Sequence, residues 1–129
     1  MRIFKTKEFN HFADREAIAD QTLKKTALKI EAGLIDAELG GGVIKQRVPR
    51  QGQGKSGGYR VIVCFQKERC LFFVHGFAKS WQSNISAAEL IDFRDLAKIL
   101  VNLNDEQLTN AITAGAVLEI LEGTSGEKL

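Results

Sequence analysis

Three extended runs between Val43 and Phe77 constrain this chain more than any other feature. The first is Val43–Val48, the second Gly58–Gln66 and the third Cys70–Phe77. The second is rich in Val, Ile, Tyr and Phe, which suit a pleated, half-buried surface. Lys67-Glu68 is placed to turn the last two runs into a hairpin. Pro49 closes the first run, because proline has no N–H to give to a strand ladder. The same region is the most basic part of the chain. Lys45, Arg47, Arg50, Lys55, Arg60, Lys67, Arg69 and Lys79 stand against one acid, Glu68, and nothing after Lys79 is similarly charged. A cationic block this dense, built into strands rather than a tail, calls for a polyanionic partner.

The flanking segments predict the rest of the fold. Arg2-Ile3-Phe4-Lys5-Thr6 alternates and reads as a first strand. Thr6 precedes a short helix over Lys7–Ala13 with Phe9 and Phe12 on one side. Ile18, Leu23, Ala27, Ile30 and Leu34 then form a helical stripe. Gly40-Gly41-Gly42 ends this region in a turn. Further on, Ser86 with Glu89 forms a capping box, with Ile85 placed as a hydrophobic staple. Leu90, Phe93, Leu96, Ala97, Leu100 and Val101 supply the apolar face of the helix that follows. Asn104 with Gln107 starts a second helix, through about Thr113. Gly115–Leu121 reads equally as more helix or as a last strand. The expected order is β-α-α-β-β-β-α-α. That is an α+β domain with a small antiparallel sheet, N-terminal helices packed on one face of it and a C-terminal helical extension. We expect one domain over residues 1–122, with 84–122 as the extension and 123–129 as a tail.

The 129 residues carry a formal net charge of +2, unevenly placed. Residues 1–80 hold fifteen Lys/Arg and eight Asp/Glu, hence +7; residues 81–129 hold three and eight, hence −5. A basic body faces a nucleic acid in this reading, with the acidic helices turned away from it. No apolar run of membrane length and no charged-then-apolar leader is present, so a cytoplasmic protein without a membrane partner is expected. Cys64 and Cys70 read as two buried thiols in a reducing compartment. No Cys/His spacing resembles a metal site, and no cofactor is expected. Gly54-Lys55-Ser56 is not a nucleotide-binding P-loop, since Pro49 occupies a glycine position of that motif and a strand follows instead of a helix.

Strand alternation gathers the cations. Lys45 and Arg47 share the face opposite Ile44 and Val48, and Arg60 shares a face with Ile62 and Cys64, opposite Tyr59, Val61, Val63 and Phe65. If the second set packs on helices, Arg60 joins Lys45 and Arg47 on the open face, and Lys79 follows the third strand at its edge. Such a cluster suits metal-free RNA cleavage. The 2′-OH must lose its proton, the crowded phosphate must be stabilised, and the departing 5′-oxygen must be protonated. Arginine forks hold phosphate, and a lysine among like charges can act as a base. The same residues also suit a binding surface with no chemistry. Arg50, Lys55 and Trp81 are candidate RNA contacts, the first two on a basic glycine-rich loop and the third as a stacking platform or a residue packed on the C-terminal helices. His75, in an apolar strand, reads as a satisfied core residue, and His11 as surface.

Lys55-Ser56-Gly57-Gly58-Tyr59-Arg60-Val61-Ile62, then Leu71-Phe72-Phe73-Val74-His75-Gly76-Phe77-Ala78-Lys79, then Asn84-Ile85-Ser86, resemble the RelE/ParE superfamily of bacterial type II toxins, in its RelE/HigB-like branch. The resemblance covers about residues 1–120. It implies a microbial-ribonuclease-like fold, ribosome-dependent cleavage of mRNA to a 2′,3′-cyclic phosphate, inhibition of translation, and neutralisation by a cognate antitoxin. By the same resemblance Arg60 contacts the scissile phosphate, Lys45 and Arg47 are the basic pair that includes the base, and Lys79 falls in the basic cluster after the last core strand. Ser80, Trp81 and Gln82 replace basic residues of the family, and the tyrosine that follows in RelE is absent. That leaves the proton donor unassigned, with Lys79 or a loop residue such as Lys55 to be considered. Other relatives inhibit gyrase without cutting anything, so the rivals are a ParE-like gyrase inhibitor and a nucleic-acid-binding module without cleavage.

Overall fold

A computed structural model describes residues 1–50 and 58–121. The chain runs β1 (Arg2–Thr6), α1 (Lys7–Arg15), α2 (Asp20–Glu31), β2 (Ala37–Gly40), β3 (Val43–Val48), β4 (Tyr59–Gln66), β5 (Cys70–Ala78), α3 (Ala87–Leu100), α4 (Asp105–Thr113) and β6 (Val117–Ile120). The six strands form one sheet in the order β2-β3-β4-β5-β1-β6. The β1–β5 pair is parallel, and the other pairs are antiparallel.

The expected α+β class holds, and local chemistry explains most of the boundaries. Thr6 Oγ1 accepts from the Phe9 N–H at 3.2 Å and starts α1. Ser86 with Glu89, and Asn104 with Gln107, both close as capping boxes at α3 and α4. Helix α2 ends earlier than its apolar stripe suggested. Gly33 takes φ +88°, Leu34 N–H donates back to the Lys29 carbonyl, and Leu34 is left 65% exposed beyond the helix. The same double closure at Gly115, with Ala116 N–H on the Ala111 carbonyl, ends α4 and frees Val117–Ile120 to pair with β1. That decides between the two readings of residues 115–121 in favour of a strand.

Strand β2 is an addition to the expected order. Ala37–Gly40 reaches β3 through the turn of Gly40, Gly41 and Gly42, all at positive φ, and pairs Ala37 with Lys45. The helices sort onto the two faces by position in the chain. Helices α1 and α2 cover one face, on a core that includes Phe9, Phe12, Leu23, Ile30, Val61, Val63 and Phe73. Helices α3 and α4 cover part of the other face, on Phe4, Val43, Ile62, Cys64, Phe72 and Val74. The N-terminal helices thus take one face as expected, and the C-terminal extension takes the other because Ile62, Cys64 and Phe72 are bulky, apolar and on that face, and burying them is favourable. Cys64 and Cys70 are buried and unbridged, and burial pushes the Cys64 thiol up to about 12.

Candidate active site

The site is built by strand register. On β3 and β4, Arg47 is opposite Arg60 and Lys45 is opposite Ile62. On β5, Phe77 is opposite Arg60 and His75 is opposite Ile62. Directly opposed residues share a face, with Cβ atoms about 5 Å apart. Two rows therefore cross the sheet on the α3 side, Arg47–Arg60–Phe77 and Lys45–Ile62–His75. Helix α3 covers Ile62 and lays Phe93 against His75, with ring centroids 5.3 Å apart. The arginine row lies one step nearer the strand ends.

Each cation is held differently. Lys45, half-buried, donates from Nζ to Asn84 Oδ1 at 3.1 Å. Asn84 is itself fixed, since its Oδ1 accepts from the Ile85 N–H and its carbonyl accepts from Gln82 Nε2. Arg47 is exposed, and its backbone N–H donates to Asp36 Oδ2 at 2.7 Å, which ties β3 to the α2–β2 connection. Arg60 is half-buried, and among the described residues its guanidinium reaches only the Tyr59 carbonyl, at 3.5 Å. Lys79 is exposed just past the end of β5. Among the described residues none of these four cations is in an ion pair, whereas Arg2, Lys5 and Arg15 all are. Cations held on a sheet without ion pairs have the chemistry to receive an anion.

The remaining candidates separate from this group. Arg50 lies over the Tyr59 ring, 5.4 Å from its centroid, and Tyr59 belongs to the core on the α1/α2 side. Trp81 is 55% exposed and meets Phe12 of α1 edge-on, not the C-terminal helices. Lys55 lies outside the described residues, as does the segment 122–129. Among the described residues no group of three or more His, Cys, Asp or Glu side chains converges where a metal ion could be held. No described helix is long and apolar enough to cross a membrane.

His75 corrects the reading of a satisfied core residue. Its Nε2 is buried with no hydrogen-bond partner, and burial lowers its pKa from the ordinary value against the opposing pull of Glu89 and Glu8. Its place in the Lys45 row follows from the bulge between Ile62 and Val63, which no sequence pattern announces. Asn84 as the partner of Lys45 was also not anticipated, because 39 residues separate the two.

One protein-family model matches residues 1–120, the family described as RelE toxin of the RelE/RelB toxin–antitoxin system. No individually curated protein matches the chain. The match spans nearly the whole chain, and the chain belongs to the RelE toxin family.

Proposed function

From membership of that family, we propose that the chain is a toxin of the HigB-like branch that cuts mRNA on the ribosome, in the cytoplasm, and is held inactive by a cognate antitoxin. The observation that carries this reading is the Arg47–Arg60 pair beside Lys45, cations on one face of which none is in an ion pair with a described acid; the nearby Asp36 carboxylate is taken by the Arg47 backbone N–H. Arginine forks suit the non-bridging oxygens of a phosphodiester. Arg60 holds the scissile phosphate. Lys45 or Arg47 takes the proton of the ribose 2′-OH, and the other of the two supplies charge. The 2′-oxygen attacks phosphorus, the bond to the 5′-oxygen breaks, and a 2′,3′-cyclic phosphate and a 5′-OH result. Lys79 stabilises the crowded phosphorane, and Lys79 or Lys55 supplies the proton to the leaving oxygen.

Primer extension on a defined message in a reconstituted translation reaction tests this, with the wild type beside Arg60→Ala. Discrete cuts at A-site codons, absent with the variant, are expected. A folded, growth-inhibiting protein that leaves the message intact overturns the ribonuclease reading and favours a ParE-like gyrase inhibitor or a binding module.

A further inference from the structure

The cations of the basic block are divided between both faces of the sheet, and the second set has a construction of its own. Arg50 lies 5.4 Å over the Tyr59 ring, and Arg15 lies 5.9 Å over the Phe12 ring. Phe12 and Tyr59 meet edge-on at 5.5 Å, and Trp81 meets Phe12 edge-on at 6.3 Å. Two guanidinium groups and an exposed indole thus rest on one buried aromatic pair. Glu16 accepts from the Tyr59 hydroxyl at 2.9 Å and lies 3.7 Å from Arg15 Nε, and Glu8 lines a neighbouring cleft with Phe12 and Arg15. No described acid pairs with Arg50. A cleft of ≈ 380 Å³ opens between Arg15, Glu16, Thr22, Arg50 and Tyr59, its one lining carboxylate among the described residues being the Glu16 that holds the Tyr59 hydroxyl.

This is chemistry for single-stranded nucleic acid. A guanidinium stacked on a ring loses little hydration and keeps its donor edge turned outward, where it can grip a phosphate. An exposed tryptophan beside it is a platform for any base, because every base has a π-face. The position suits the purpose as well. Between Arg47 on the α3 face and Arg50 on the α1 face lie only three residue steps, a reach of about 10 Å at full extension. A strand that passes over this end of the sheet meets both sets.

We propose that the cleft of Arg15 and Arg50, with Trp81 beside it, is a second RNA-binding site that holds the backbone flanking the segment bound at Lys45, Arg47 and Arg60. The proposal rests on the ribonuclease reading for the first face and adds the other face as the path of the same strand. An acidic protein segment could use the two arginines but has no base to offer Trp81.

Binding of 2′-O-methyl RNA, which has no nucleophile and survives intact, tests the site apart from cleavage. Oligonucleotides of two lengths serve, one of four nucleotides that spans a single site and one of twelve that spans both. With the wild type, the longer one is expected to bind at least tenfold tighter and to quench the fluorescence of Trp81, the only tryptophan in the chain. Arg15→Ala/Arg50→Ala is expected to lose that gain and to lower the slope of log K against log salt by about 1.4, for two phosphate contacts on a single strand. Arg15→Lys/Arg50→Lys retains charge without stacking and is expected to recover part of the affinity, and thermal melting reports whether each variant is folded. Equal affinity for both lengths, an unchanged tryptophan signal, or a folded double-alanine variant that binds like the wild type overturns the proposal. A protein that cuts no message on the ribosome and still shows the length-dependent gain loses the ribonuclease reading and keeps this site.

Discussion

Arg47 and Arg60 are direct cross-strand partners on β3 and β4, two like charges on one face, neither of them in an ion pair with a described acid. Like charges directly opposed destabilise a sheet by up to about 1 kcal/mol. A fold selected for stability alone has no use for that arrangement, and an anion that sits between the two removes its cost. Arg60→Ala is therefore expected to leave the melting temperature unchanged or slightly higher while cleavage falls at least about a hundredfold, the effect of losing one preorganised donor. Thermal melts and single-turnover cleavage on stalled ribosomes measure the two separately. A variant that loses stability and activity together would make Arg60 a structural residue.

Asn84 fixes where Lys45 points. The Asn84 side chain receives Lys45 Nζ at 3.1 Å and the Ile85 N–H at 2.9 Å, so one amide oxygen ties the β3 cation to the entrance of α3. Asn84→Ala is expected to lower the cleavage rate severalfold through a less well-placed lysine, with little loss of stability because the contact is exposed. The pH dependence of the rate distinguishes this from general damage. A displaced base changes the profile, and a merely looser fold lowers it evenly.

How far the residues revealed the fold follows from which signals are local. Val43–Val48 was legible because Val43, Ile44 and Val48 are β-branched and the run stops at a proline, and Ser86/Glu89 and Asn104/Gln107 were legible because a capping box lies within four residues. Strand β2 was not, since Ala37-Glu38-Leu39-Gly40 has little strand propensity and is held by pairing with β3 and by Arg94, whose guanidinium bonds the Leu39 carbonyl. The shared face of Lys45 and Arg47 follows from parity alone, and Arg60 joins it once Tyr59, Val61 and Val63 pack on the helices. Parity could not show that α3 covers the inner part of that face, nor that Arg50 and Trp81 turn toward α1, because those placements depend on contacts between distant segments.

Gly76 is a packing position. A Cβ built there would lie 2.3 to 2.8 Å from three carbons of the Phe12 ring, which is itself buried in the α1/α2 core. Gly76→Ala is expected to destabilise the chain by about 1–3 kcal/mol, the usual range for overpacking. Adding Phe12→Leu, which removes the obstructing ring atoms, is expected to recover part of that loss. Urea unfolding of the two single variants and the double variant closes the cycle, and simple additivity would show that the two positions do not meet.

His75 sets a pH dependence of stability. Burial against Phe77 and Phe93 lowers its pKa from the ordinary value of about 6.5, so just below that pH the unfolded chain carries a proton that the folded chain resists. The unfolded state binds more protons there, and stability must rise with pH. This contribution is fully present above about pH 6.5 and is lost as the pH falls from there through the folded-state value. Glu89 and Glu8 soften the effect by favouring the charged ring, and the helices that bear them shape the slope. His75→Phe removes the titration and the unpartnered buried Nε2 together, and is expected to be more stable by about 1 kcal/mol. Denaturant midpoints at pH 5 and pH 7.5 for both proteins decide it. The wild type should lose more stability than the variant on acidification, and equal losses would mean that His75 takes no part in the pH response.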